Sequence, residues 1–245
     1  MALKEEFESR GNWLFKKRSF LPLVLYVLAT IVLFIDRDDF IDFRNDYWEI
    51  SCFLVSMLGL AIRAITIGFA PAGTSGRNVH GQVAETLNTQ GIYSTVRHPL
   101  YLGNFFMWFG IIMYTGNAWF ILVAALIFWL YYEKIMFAEE EFLRKKYGST
   151  YETWAAKTPA FIPDFSKWTS AKLEFSFKNV LKREFYGLFA VGVSFAYINF
   201  LKNYIELDRY HIHLNWIVVV VVTFVIFIVL RTIKKTTQLL NVEGR

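Results

Sequence analysis

Gly91-Ile92-Tyr93-Ser94-Thr95-Val96-Arg97-His98-Pro99-Leu100-Tyr101-Leu102-Gly103-Asn104 carries an arginine, a histidine and two tyrosines straight into an apolar run. Polar groups at the mouth of such a run are costly to bury unless something bonds them, so the stretch is where chemistry is expected. Gly91 admits backbone angles closed to other residues, and His98 is biased away from helical geometry by the proline that follows it. Pro99 suits a first helical turn, where its missing N–H costs nothing. The residues therefore predict a turn that ends at His98 and a helix from about Pro99, with Tyr101 and Asn104 in its first turns. There the free backbone N–H groups and the positive end of the helix dipole favour an anion.

Outward from this stretch, the composition decides the class. The chain of 245 residues is 55% hydrophobic with mean hydropathy +0.35, above the roughly 45–50% apolar content of soluble domains. The excess lies in six runs, at about 20–35, 50–70, 100–115, 118–136, 185–201 and 215–230, several of them near the short end of the roughly 17–25 residues a span needs. The expected fold is an all-α integral membrane protein with about six transmembrane helices. The first run follows nineteen mixed-charge residues and has no small-residue cleavage pattern after it, so no cleavable signal peptide is expected. Lysines and arginines number 5 in residues 1–19, 2 in 71–98, 9 in 137–184 and 4 in 231–245, against 2 in 36–49 and 2 in 202–214. Basic residues gather in cytoplasmic loops, which places both termini and the Arg97-His98 stretch in the cytoplasm. The net charge of +5 sits in clusters that flank the runs, where orientation and anionic lipid account for it without a nucleic-acid partner. The one cysteine, Cys52, lies in an apolar run and excludes a disulfide framework or a cysteine-based metal site. Three regions are expected: an amphipathic lead at 1–19, a core of four spans and a cytoplasmic helix at 20–163, and a basic-aromatic segment with two further spans at 164–245.

Further polar positions are candidates for the site. Phe7, Trp13, Leu14 and Phe15 lie among basic residues in the lead, a pattern suited to the membrane interface. Residues 36–46 carry five aspartates against two arginines, read as a solvated loop with cation binding as the alternative. Arg63 lies inside the second run and either snorkels, pairs with a carboxylate or faces a polar cavity. Arg77 and His80, in a Gly-rich loop, suit an anionic head group. After the fourth run the helix continues through Glu139, Glu140 and Glu141. At about 100° per residue Glu139 and Glu140 fall within about 60° of Met136, on the apolar face, with Glu141 and Lys145 on the opposite one. Glu141 and Lys145 read as a solvated ion pair, and a Glu140–Arg144 pair is the structural alternative for Glu140. Gly148 is expected to end this helix, with Tyr151 and Trp154 anchoring the next turns. Residues 155–184 alternate aromatic and basic side chains, as an interfacial segment does, and the last two runs read as packing or lipid-facing helices. His211 and His213 form a weak metal candidate on the far side.

The spacing G-I-Y-S-x-V-R-H-P-x-Y-x-G resembles the motif of the isoprenylcysteine carboxyl methyltransferase and phospholipid methyltransferase superfamily. A second block does too: Glu139-Glu140-Glu141-Phe142-Leu143, then Tyr147-Gly148-Ser149-Thr150-Tyr151 and Pro159-Ala160-Phe161-Ile162-Pro163. The resemblance covers about residues 84–163. It implies that the two blocks fold together on the cytoplasmic face around S-adenosylmethionine. Carried over, it assigns Leu87, Tyr93, His98, Pro99, Tyr101, Leu102, Glu139 and Glu140 to the cofactor, with Arg97 and Glu140 as the catalytic pair. Arg97 would orient the acceptor or the cofactor carboxylate. Glu85 stands just ahead of the first block, where prenylcysteine enzymes tend to carry histidine. With Arg63, Arg77, His80 and Asn104 as acceptor-binding residues, the expected acceptor is an anionic lipid head such as a lipid phosphate. Prenylcysteine carboxyl methylation, a sterol-type membrane reductase and a non-enzymatic membrane protein are the alternatives.

Overall fold

Each apolar run folds as a helix, and most of these helices are longer than the runs. In a computed structural model, which describes residues 2–20, 23–35, 46–74, 82–208 and 210–245, the chain forms α1 (Leu3–Lys17), α2 (Leu23–Ile35), α3 (Asp46–Phe69), α4 (Pro99–Met113), α5 (Ala118–Tyr147), α6 (Ser149–Ala155), α7 (Phe177–Leu207) and α8 (Leu214–Thr236). Helices α3, α5, α7 and α8 are long and apolar enough to cross a membrane, and α2 and α4 are shorter apolar helices. The chain is a multi-pass integral membrane protein. Arg77, His80 and the aspartate-rich residues 36–45 lie outside the described residues.

Small residues bring α3 and α4 together. A Cβ on Gly59 would meet the carbonyl of Gly103 and the backbone nitrogen of Met107, and one on Gly110 would meet Ser56. The Ser56 hydroxyl donates to the Met107 carbonyl at 2.8 Å, so the contact is closed by a hydrogen bond as well as by shape. A tight turn joins α4 to α5, with Gly116 at φ 78° and the Asn117 side chain accepting from the Phe120 nitrogen at 2.7 Å. Helices α7 and α8 form a second hairpin. Phe195 and Ile198 of α7 are buried with Leu33, Cys52 and Ile135, whereas most of α8 faces outward.

One end of the bundle is fastened by a buried polar network. The Tyr114 hydroxyl donates to Glu49 at 2.8 Å, and it accepts from Asn199 and from Trp216, each at 3.1 Å. This joins α3, α4, α7 and α8 at the end away from Arg97. His213 belongs to the same cluster through Asn199, and the rings of His211 and His213 are 5.8 Å apart. Among the described residues no three His, Cys, Asp or Glu side chains are placed to hold a metal.

At the other end α1 lies along the polar extension of α5. Gly11 packs on the Lys134 carbonyl and Ala138, Lys4 reaches Glu141 at 2.8 Å, and Lys145 reaches Glu8 at 2.5 Å. This corrects the expected Glu141–Lys145 pair. Glu141 is only 3% exposed because α1 covers the face that α5 alone would leave in water. Arg144 also bonds Glu141, and so the Glu140–Arg144 alternative is replaced as well.

Candidate active site

The two sequence blocks are zipped together by backbone. Gly91, at φ 59°, turns the chain so that its nitrogen donates to Thr169 at 2.9 Å, and Thr169 donates back to the Ser94 hydroxyl at 2.9 Å. Arg97 and His98 give their backbone N–H groups to the carbonyls of Pro159 and Ala160, at 2.9 and 3.2 Å. Asp164 donates to Thr95 at 2.9 Å. The Pro-Ala-Phe-Ile-Pro segment therefore satisfies the two donors, at Arg97 and His98, that follow the short 3-10 helix Ile92–Ser94 and have no partner within it. His98, at φ −121° and ψ 58°, is the non-helical residue before Pro99, where α4 begins as expected. Gly148 ends α5 at φ 51°, and Tyr151 of the following α6 is fully buried.

Side chains complete the junction. Glu140 Oε1 accepts from Arg97 Nε at 3.0 Å and lies 2.8 Å from His98 Nε2. Arg97 Nη1 also donates to the carbonyls of Ala155 and Thr158, at 2.7 and 3.0 Å, just where α6 ends and leaves carbonyls without helical partners. His98 Nδ1 is 3.8 Å from Glu139 Oε2, and the His98 ring stacks on Tyr101 with centroids 5.7 Å apart. Tyr101 in turn packs on Tyr132 at 5.0 Å. Burial first, and the Glu139 carboxylate second, push the Tyr93 phenol upward, and burial with Glu140 does the same for Tyr151. Both phenols are neutral donors at physiological pH.

Behind this junction is a cavity of about 180 Å³. Of the cofactor residues expected from sequence, Leu87, Tyr93, His98, Pro99, Tyr101 and Glu139 line it, and so does Arg97. Leu102 does not reach it, and Glu140 sits behind His98 and Arg97, outside the lining. Arg63 and Asn104, expected at the acceptor, line it as well. Arg63 does not snorkel. Its Nε and Nη2 grip the two oxygens of Glu184, both at 2.7 Å, and Nη1 donates to Asn104 Oδ1 at 2.6 Å, while Asn104 donates to the Tyr132 hydroxyl at 3.0 Å.

Sequence reading missed the contributions of the first and seventh helices. Phe15, in α1, and Arg18, just after it, line the cavity, as do Arg183 and Glu184 from α7. The signal for Glu184 was Arg63 itself, a cation inside a span that calls for a carboxylate. For α1 it was an aromatic next to basic residues in an amphipathic lead. Trp154 was singled out only as an anchor. Its Nε1 is buried, finds no hydrogen-bond acceptor among the described residues, and belongs to a side chain that lines the cavity. A ligand with acceptor groups supplies what that donor lacks. Glu139 adds a carboxylate for a cationic centre, so the lining fits a zwitterionic sulfonium cofactor.

The family model of phospholipid methyltransferases matches residues 50–150, which hold most of α3, the turn, α4 and α5. The chain is 40% identical over 78 residues to the protein-S-isoprenylcysteine O-methyltransferase of Schizosaccharomyces pombe, across 31% of this chain and 33% of that protein. It is 31% identical over 125 residues to a probable protein-S-isoprenylcysteine O-methyltransferase of Oryza sativa subsp. indica, across 49% of this chain and 64% of that one. Over these stretches the chain is similar to phospholipid and isoprenylcysteine methyltransferases. The match thus spans about a third of the fission-yeast protein and under two thirds of the rice protein. The nickel-cobalt-cadmium resistance protein NccN of Alcaligenes xylosoxydans xylosoxydans is 28% identical over 174 residues, across 71% of this chain and 76% of its own. No solved structure matches. Proteins with different names are thus similar to this chain, methyltransferases and a metal-resistance protein among them.

Proposed function

We propose that the protein is an S-adenosylmethionine-dependent methyltransferase that acts on the polar head of a membrane lipid or lipidated acceptor, and that the acceptor is anionic. The observation that carries this reading is the cavity wall, where two carboxylates, Glu139 and Glu184, stand among four arginines, Arg18, Arg63, Arg97 and Arg183, at the polar end of apolar helices. When bound, S-adenosylmethionine supplies an electrophilic methyl group on a sulfonium, which an anionic oxygen takes without loss of a proton. Glu139 favours that cation, and Trp154 and Tyr93 offer neutral donors to its polar groups. His98 is held by Glu140 on one ring nitrogen, which fixes the ring against Tyr101 and orients the cofactor side of the wall. Phe15, Leu87 and Leu143 line the same space with apolar surface and exclude water, which strengthens each charge interaction inside. The cationic balance of the wall favours a carboxylate or phosphate on the acceptor. The distribution of lysine and arginine supports a cytoplasmic site.

A prenylcysteine carboxylate is the second acceptor reading, and the 40% identity to the fission-yeast protein favours it. Both acceptors are anions next to a lipid chain, and the same wall suits either. Titration of the purified protein with S-adenosylhomocysteine and, in parallel, with a reduced nicotinamide dinucleotide tests the assignment. Binding of the first, lost on His98→Ala, is expected. Binding of the nicotinamide alone would overturn it in favour of a reductase, and binding of neither would favour a non-enzymatic role.

A further inference from the structure

Two features of α7 do not follow from packing. The helix lies outside the residues that the family model matches, yet Arg183 and Glu184 form part of the cavity wall. And Glu184 is spent on Arg63, 121 residues earlier in the chain, through a two-pronged pair with both contacts at 2.7 Å. A buried ion pair gains little over apolar side chains of the same volume, because two charges must first leave water. Two leucines would join α3 to α7 at lower cost. What they would not provide is a directed donor at the cavity.

Arg63 has five N–H groups, and Glu184 and Asn104 take three of them among the described residues. One N–H on each terminal nitrogen is left, on a side chain that lines the cavity. Glu184 fixes the plane of the guanidinium, and Asn104 fixes its other edge while being fixed itself by Tyr132. The charge of Arg63 is also compensated before any acceptor arrives. This matters because methylation removes the negative charge of an anionic acceptor. An arginine paired with the acceptor alone would be left buried and uncompensated by the product, whereas Arg63 keeps its partner throughout.

We propose that Glu184 is a positioning residue for the methyl acceptor: through Arg63 it aims two N–H donors at an acceptor oxygen and keeps that end of the cavity electrically compensated before and after transfer. The proposal rests on the methyltransferase reading, and it gives α7 a part in acceptor handling beyond packing.

The test uses full-length protein in detergent, S-adenosylhomocysteine as the cofactor probe, and total membrane extract with methyl-labelled S-adenosylmethionine as the source of acceptors. For Glu184→Gln the expected result is a fall in maximal rate of tenfold or more. The half-saturating amount of extract does not rise, and S-adenosylhomocysteine affinity stays within twofold. Glu184→Asp restores most of the rate. Because a lone substitution strands Arg63, the double variant Arg63→Leu with Glu184→Leu is measured too. It is expected to fold and to bind S-adenosylhomocysteine, and to lose transfer. Transfer retained by the double variant, or affinity for S-adenosylhomocysteine falling in step with the rate of Glu184→Gln, would reduce the pair to a structural or cofactor role and overturn the proposal. Wild-type protein that binds S-adenosylhomocysteine but labels nothing in the extract would overturn the acceptor class and this role with it. Wild-type protein that binds no S-adenosylhomocysteine would overturn the methyltransferase reading itself.

Discussion

Glu140 shows how one carboxylate oxygen can order a site it does not line. It bonds Arg97 at 3.0 Å and His98 at 2.8 Å. Arg97 has two carbonyls in reserve at Ala155 and Thr158, whereas His98 has Glu139 only at 3.8 Å. Loss of the Glu140 charge should therefore disturb the histidine more than the arginine. Hydrogen bonds to charged groups contribute about 1.5–3 kcal/mol, and Glu140→Gln is expected to weaken S-adenosylhomocysteine about tenfold, with the protein still folded by thermal unfolding. Unchanged affinity would show that His98 does not depend on Glu140 for its place at the cofactor. Helical phase alone grouped Glu139 with Glu140, and the structure puts both at the site, one in the wall and one behind it. Phase could not place Glu141, since the helix that buries it comes from the start of the chain. Nor could it pair Arg63, whose carboxylate is 121 residues distant.

The six apolar runs marked six helices, four long and apolar enough to cross a membrane and two shorter, but hydropathy reads the apolar part of a helix and says little of the rest. Helix α5 runs on to Tyr147 and α7 begins at Phe177, because their polar turns project beyond the apolar core and carry the residues that meet the motif. Helix α1 was legible as an amphipathic segment. Its position was not, as it depends on Gly11 fitting against the Lys134 carbonyl and Ala138 of α5. A Cβ on Gly11 would lie 2.7 Å from Ala138 Cβ, so a bulkier residue must lift α1 away. Overpacking of this kind costs about 1–3 kcal/mol. In Gly11→Leu, trypsin is expected to cut faster after Lys16, Lys17 or Arg18, and S-adenosylhomocysteine affinity to fall several-fold as Phe15 and Arg18 leave the wall. Faster cleavage with unchanged affinity would exclude α1 from the site.

At the scale of the whole molecule the two ends of the bundle differ in kind. One end is closed by Glu49, Tyr114, Asn199 and Trp216, which are joined through the Tyr114 hydroxyl. The other gathers α1, the turn at 91–98, the extension of α5 and α6 around the cavity, with the chain's last residues fastened at the same end. There Arg245 donates to the Gly68 carbonyl at 2.7 Å, and Ala72 to the Gly244 carbonyl at 2.8 Å. Segments far apart in the sequence thus meet in space. The basic count was a statement about sides, and the folded chain gives those sides separate functions. If the rule that sorts basic residues holds here, the cavity opens to the cytoplasm and draws its acceptor from the inner leaflet. Single-cysteine labelling decides this, since Cys52 is fully buried and the chain has no other cysteine. Tyr210→Cys, at an exposed position on the far side, should react with a membrane-impermeant maleimide in intact cells. Ser170→Cys, exposed beside the motif, should react only after the cells are opened. The reverse pattern would turn the protein over in the membrane and place the arginine-lined wall where cytoplasmic S-adenosylmethionine does not reach, which the proposed activity would not survive.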